Sequence, residues 1–178
     1  MMWYTRPEHP LRRLFAALTE HTFQASLGVA DPPLVDYLSE LLARFVHIDG
    51  IFRLRNTQGQ RLEQIADMMI EAEAMPPEGR TRREIYRHIG DFTLFWTGVY
   101  PELLNRLRSV LNKDHLIDYA NQGKRSYYIA STFEGCEHQH EARVLRRLSD
   151  EYDLCAFGLT QVRREWETLK GEAAVITE

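Results

Sequence analysis

From Leu145 onward the chain places an apolar residue every three or four positions without a slip: Leu145, Leu148, Tyr152, Cys155, Leu159, Val162, Trp166 and Leu169. Alternating steps of three and four hold one stripe of a helix apolar, and arginines and glutamates take the remaining faces. A strand would need period two, so the stretch reads as helix. As one continuous helix it would span roughly 40 Å at about 1.5 Å per residue. Gly158 sits beside this seam as a potential break. The pattern suits an inner wall or an interface between chains equally well.

A second stretch, Thr81 to Pro101, reads TRREIYRHIGDFTLFWTGVYP. Ile85, Ile89, Phe92, Trp96 and Val99 recur there at helical spacing, with Phe95 beside them. A helix with so much aromatic surface must be largely buried. Thr81 followed by Glu84 has the form of a capping box. Gly98 reads as a left-handed stop, with Pro101 just beyond it.

The rest of the chain is helical in the same sense. A first helix opens at Pro10 and ends at Gly28, with Leu11, Leu14, Phe15, Leu18, Thr22 and Ala25 inward. A second runs from Pro33 toward Asn56 on an apolar face from Leu34 to Phe52, with Gly50 inside it either to permit a close helix contact or to mark a bend. A third, from about Leu62 to Ala74, buries Ile65, Met69 and Ile70, and the MPPEG run then breaks the chain. A short helix follows from Pro101 to Val110, then a turn and cap at Asn112–Asp114. The sixth helix extends to Phe133 through Leu116, Ile117, Ala120, Tyr127 and Ala130, with Gly123 as its soft point. Glu134 to His140 reads as a polar loop. The expected fold is therefore all-α, a single-domain bundle of about seven helices closed by a long heptad-patterned C-terminal helix. Residues 1–9 form an arm, 10–170 the helical domain and 171–178 a tail.

Composition narrows the function. A chain of 178 residues suits one domain with a substantial core. A net charge of −4 argues against a general nucleic-acid or anionic-membrane binder. The most apolar run, Phe92 to Tyr100, falls far short of the roughly 20 residues that a membrane helix needs. The N-terminal residues contain no apolar stretch of the kind a secretory signal carries. Cys136 and Cys155 form no CxxC pair, so a reducing cytoplasm is the expected setting.

Three groups of residues carry chemistry. Glu84, His88 and Asp91 lie at i, i+4 and i+7, one stripe of a helix, and carboxylate with imidazole suits zinc, iron or manganese. His47 and His115 are the candidate partners for a metal or small ligand there; Glu20, His21, Glu40 and Asp118 are further donors. Against this, Glu84 is accounted for by capping, and the expected outcome is structural: Asp91 accepts from a nearby donor such as His88, a Tyr or an Arg, and the pair fixes helix register. The Glu-x-x-His spacing of di-metal bundles occurs at Glu137–His140, in an expected loop. Arg80, Arg82, Arg83 and Arg87 crowd a helix N-terminus, where cations oppose the macrodipole. They call for an anionic partner or for pairing with Glu71, Glu73 and Glu78. Lys124 and Arg125, near Tyr128, are the other basic stretch, with phosphate or nucleic acid as its conceivable ligand.

No GxSxG, Walker loop, GxGxxG or HExxH motif is present, and Cys155 on the seam reads as a buried inert thiol. No catalytic residue is indicated, and the cofactor is left open. The leading expectation is a cytoplasmic protein acting in protein–protein interaction or regulation, through a protein partner or self-association. The alternatives are a small-ligand or metal-binding protein, possible enzyme included, with its pocket beside His88 and Asp91, and an anion or nucleic-acid binder using the arginines.

Overall fold

The computed structural model describes residues 10–110, 112–133 and 135–176. These form nine α-helices and no strand: α1 (Pro10–Glu20), α2 (Pro32–Phe45), α3 (Ile48–Ile51), α4 (Ile65–Ala74), α5 (Arg80–Gly98), α6 (Pro101–Val110), α7 (Tyr119–Ser131), α8 (Gln139–Asp150) and α9 (Tyr152–Ile176). The all-α expectation holds. Nine helices replace seven because two expected helices each break once.

The first break separates α2 from α3. His47 is extended (φ −104°, ψ 139°), and the chain turns back so tightly that a Cβ on Gly50 would strike the Arg44 carbonyl. Only glycine fits that approach. The second break, at Glu151 (φ −112°, ψ 29°), divides the seam helix into α8 and α9. Leu145 and Leu148 on α8 and Tyr152, Cys155, Leu159 and Val162 on α9 are nevertheless all buried, so the seam is an inner wall. It runs out of the core at its end, where Leu169 is exposed. Helix α9 continues past Gly171 to Ile176, where a tail was expected. The expected arm, residues 1–9, and residues 177–178 lie outside the described residues.

Helix α5 is the hub, packing on α2, α4, α6, α7 and α9, with α7 its most extensive neighbour. Two glycines set how close α5 and α7 come. A Cβ on Gly90 would lie 2.6 Å from the Tyr127 ring, and one on Gly123 would lie 2.6 Å from the Tyr152 ring and overlap Thr93. Gly123 is thus a contact point of the core and not a soft spot.

Other expectations change for local reasons. Helix α5 begins at Arg80 behind Gly79 and has no side-chain cap, so Thr81–Glu84 is not a capping box. Gly98 is not left-handed; it lets α9 approach, since a Cβ there would lie 3.1 Å from Leu159 Cβ. Past Glu20 the chain widens into a π-type turn over His21–Ser26, which rotates the buried face onto Thr22 and Phe23 and leaves Ala25 outside. Ile70 and Leu116, expected inside, are 69% and 90% exposed. Asp114 does cap a helix, but a distant one. It is fully buried and accepts from Ile65 N (2.8 Å) and Ala66 N (3.0 Å), closing the N-terminus of α4, while Tyr119 Oη donates to it (2.8 Å).

No described helix is long and apolar enough to cross a membrane.

Candidate functional site

Asp91, halfway along α5, is fully buried. A carboxylate there must be neutralised or fully hydrogen-bonded, because burying it unpaired costs several kcal/mol. Two helices supply what it needs. Tyr37 and Arg44 stand seven residues apart on α2 and so share a face; Tyr127 comes from α7. Tyr37 Oη and Tyr127 Oη donate to Asp91 Oδ1 at 2.7 and 2.8 Å, and Arg44 Nη2 donates to Oδ2 at 3.0 Å. Burial works to raise the carboxyl pKa, but Arg44, Arg87 and the two hydroxyls outweigh it and hold Asp91 below the ordinary value. Burial, reinforced by the Asp91 charge, pushes both phenols well above their usual range, so they stay protonated donors.

One turn back, His88 is equally buried. Arg53 Nε donates to its Nδ1 at 3.2 Å, and because a guanidinium only donates, the imidazole proton belongs on Nε2. Burial first, and then the Arg53 charge, lower the His88 pKa to about 3. The ring is neutral at physiological pH. Its Nε2 has no protein hydrogen-bond partner, and its face meets Phe45 at 5.9 Å between centroids.

Towards the start of α5 the charges interlock. Arg83 Nη1 donates to Glu84 Oε1 (2.8 Å) and Arg83 also pairs with Glu141 of α8; Arg87 Nη1 donates to Glu141 Oε1 (2.7 Å). Arg53 and Arg87 flank Glu84 Oε2 at 3.9 and 3.7 Å. Arg82 grips Glu73 of α4 with two bonds of 2.9 Å.

Of the residues expected at a metal or ligand site, Glu84, His88 and Asp91 do share a stripe, but each faces arginine. The carboxylates are engaged, and among the described residues no group of three or more His, Cys, Asp or Glu is placed to hold a metal ion. His47 sits half-buried at the start of α3, and His115 is exposed ahead of α7. Of the expected anion surface, Arg82, Arg83 and Arg87 are bound to carboxylates, Lys124 pairs with Asp153 at 2.8 Å, and Arg80 and Arg125 are exposed. Arg44, Tyr37 and Glu141, on other helices, and Arg53, in the loop after α3, went unnoticed in the sequence because they lie tens of residues away. The seven-residue Tyr37–Arg44 spacing, which puts both on one face of α2, was the available signal.

The opposite half of α5 borders empty space. A half-open cavity of about 320 Å³ lies among α1, α2, α3, α5, α6 and α9. Its walls carry Phe15, Phe45, Phe95, Trp96, Tyr100 and Trp166, backed by Leu42, Ile51, Val99 and Val162. Val46, Ile48 and Leu103 also line it, and they are 39%, 63% and 38% exposed. Edge-to-face contacts hold the aromatics: Phe45 on Phe95 (5.2 Å), Phe95 on Trp96 (5.3 Å) and Phe15 on Trp166 (5.5 Å). The one charged residue of the lining is Arg163, and none of the Asp91 network belongs to it. Trp96 Nε1 is buried without a protein acceptor.

This volume falls at the lower end of the roughly 300–1,000 Å³ usual for small-molecule sites. The heptad pattern accounts for Val162 and Trp166 as seam residues; what it did not show is that the seam parts from α2 and α5 at its far end. No protein-family model, curated protein or solved structure matches the chain.

Proposed function

We propose that residues 10–170 act as one domain whose task is binding, and that the bound species is a small, mainly apolar molecule seated in the aromatic cavity. The observation that carries this is the contrast within α5. The charged half is closed by its own partners, whereas the aromatic half leaves about 320 Å³ open at an apolar rim. Burying apolar surface yields about 25 cal/mol per Å², so a ligand filling that space needs little polar contact to bind. No general acid, base or nucleophile lines the cavity, which favours carriage or sensing over catalysis. A reducing, cytoplasmic setting suits the buried thiol of Cys155, whose pKa burial pushes up to about 12.

The test is titration with the neutral dye N-phenyl-1-naphthylamine. Saturable one-to-one fluorescence enhancement is expected, and Val99→Phe, which fills the cavity, and Leu103→Trp, which closes its mouth, should each abolish it. Circular dichroism confirms that both variants stay folded. The absence of saturable binding by the wild type overturns the reading, as does undiminished binding by two folded variants.

A second reading, interaction with a protein partner, is favoured by a separate patch. Exposed Ile70 borders a shallow depression with Met69, Ile117 and Arg125, next to the almost fully exposed Leu116. Concentration-dependent sedimentation, abolished by Ile70→Glu with Leu116→Glu, is its expected signature.

A further inference from the structure

We infer that the cavity takes an apolar carboxylic acid, with the hydrocarbon among the aromatics and the carboxylate on Arg163; this rests on the reading of the cavity as a ligand site. The lining has a polarity of one sign. Its polar side chains are Arg163, Trp96, whose N–H is itself buried, and Tyr100; no residue of the lining is a carboxylate, and Glu102 and Glu167 reach Arg163 from outside it. Two of these only donate, and the third donates readily. Such a lining matches a ligand that brings acceptor oxygens.

Arg163 is held ready for that role. Its Nη1 donates to the Val99 carbonyl at 2.8 Å and pairs with Glu102, and its Nε donates to Glu167 at 2.9 Å. The guanidinium carbon stands 4.6 Å from the Tyr100 ring centroid. These contacts fix the plane of the group and leave Nη2, with its two hydrogens, unbonded to protein. The side chain is only 20% exposed, whereas Glu102 and Glu167 are 53% and 55% exposed. Water therefore screens the repulsion of the two glutamates more than it screens the attraction of the arginine. A carboxylate at Nη2 would form a charge-assisted bond at the cavity's edge while its chain lies in the apolar space.

The experiment compares decanoate with 1-decanol at neutral pH, by calorimetry, on the wild type, Arg163→Gln and Trp96→Phe. The two probes share their chain and differ in the head group. Decanoate should bind the wild type at least about tenfold more tightly, the least expected of one hydrogen bond between charged groups. Arg163→Gln should bring the ratio of decanoate to decanol affinity to about one. Trp96→Phe should weaken decanoate severalfold if the indole N–H is a second donor; equal binding assigns the head group to Arg163 alone and sustains the inference. Equal affinities of the wild type for the two probes overturn the inference while the cavity reading stands. A preference that survives in folded Arg163→Gln overturns the role of Arg163. If neither probe binds, the cavity reading itself fails.

Discussion

Up to Asp91, α5 faces Tyr37 and Arg44 of α2, Tyr127 of α7, glutamates of α4 and α8 and Arg53 of the loop after α3; beyond Asp91 it faces phenylalanines, tryptophans and a gap. The difference follows from what each kind of side chain tolerates. A buried charge without partners costs several kcal/mol, so the polar half had to recruit donors until both Asp91 oxygens were engaged. An apolar wall has no such demand. It forgoes dispersion contacts where it meets a void, a loss that a bound ligand can restore. The polar half therefore fixes the register of α2, α5 and α7, and the aromatic half is free to hold something.

The strongest way to break this contrast is to empty the polar half. Asp91→Ala leaves Arg44 and two phenols facing a hole and should cost about 3–5 kcal/mol in urea unfolding. Asp91→Asn should recover only part of that, because Arg44 still loses its counter-charge. A loss below about 1 kcal/mol for Asp91→Ala would mean that the network is dispensable.

Next comes the wall common to both halves. Leu148→Ala and Leu159→Ala each remove a fully buried side chain and should cost about 2–5 kcal/mol. Melting unchanged from wild type in both would move the seam to the outside of the fold.

The helical class, the α5 stripe and most of the seam were legible because burial alone dictates a period, and period is visible in one chain. Gly50 left a bend in the second helix open as an alternative, and the chain does turn there; the break at Glu151 was not legible, since it depends on what the chain packs against afterwards. Asp114 shows the same limit: it was read as a local cap and closes α4 instead, a partner no local pattern specifies. Glu84, His88 and Asp91 were found as a group, and a structural role for Asp91 as acceptor from a Tyr or Arg was expected; which donors was not legible, because Tyr37, Arg44 and Tyr127 lie far off in the chain. A cavity is harder still. It is a failure of six helices to meet, and no residue in it is unusual.

Acid should separate the halves next. The folded His88 pKa is about 3, below its ordinary value of 6.5, so between those values the unfolded chain takes up a proton that the folded one refuses. Stability from this group is complete above about pH 6.5 and falls as pH drops toward 3. The slope approaches about 1.4 kcal/mol per pH unit, or roughly 2–3 kcal/mol between pH 6.5 and 4.5. Asp91 adds to the loss only below about pH 4, since its folded pKa is also depressed and its contribution disappears on protonation. His88→Gln should flatten the upper part of the urea-midpoint profile and leave the lower part. A wild-type profile flat from pH 7 to 4.5 would place a charged imidazole in the fold.

The smallest effect sharpens the contrast most, because it removes one donor from each half. Tyr127→Phe deletes a hydroxyl that donates to a buried charge at 2.8 Å, and bonds of that kind contribute about 1.5–3 kcal/mol. Asp91 keeps Tyr37 and Arg44, so the lower end is expected. Trp96→Phe deletes an N–H that has no protein acceptor, so no protein hydrogen bond is lost with it. What is lost is ring area beside a space already open, and the change should stay within about 1 kcal/mol. The two substitutions are comparable in kind, remove one polar hydrogen each, and sit within two turns of one another's contacts on α5. Equal losses would mean that Trp96 is as tightly specified as Asp91, and the aromatic half would then be core with a packing defect. A marked loss for Tyr127→Phe beside a near-silent Trp96→Phe is what a closed structural network next to an open binding site requires.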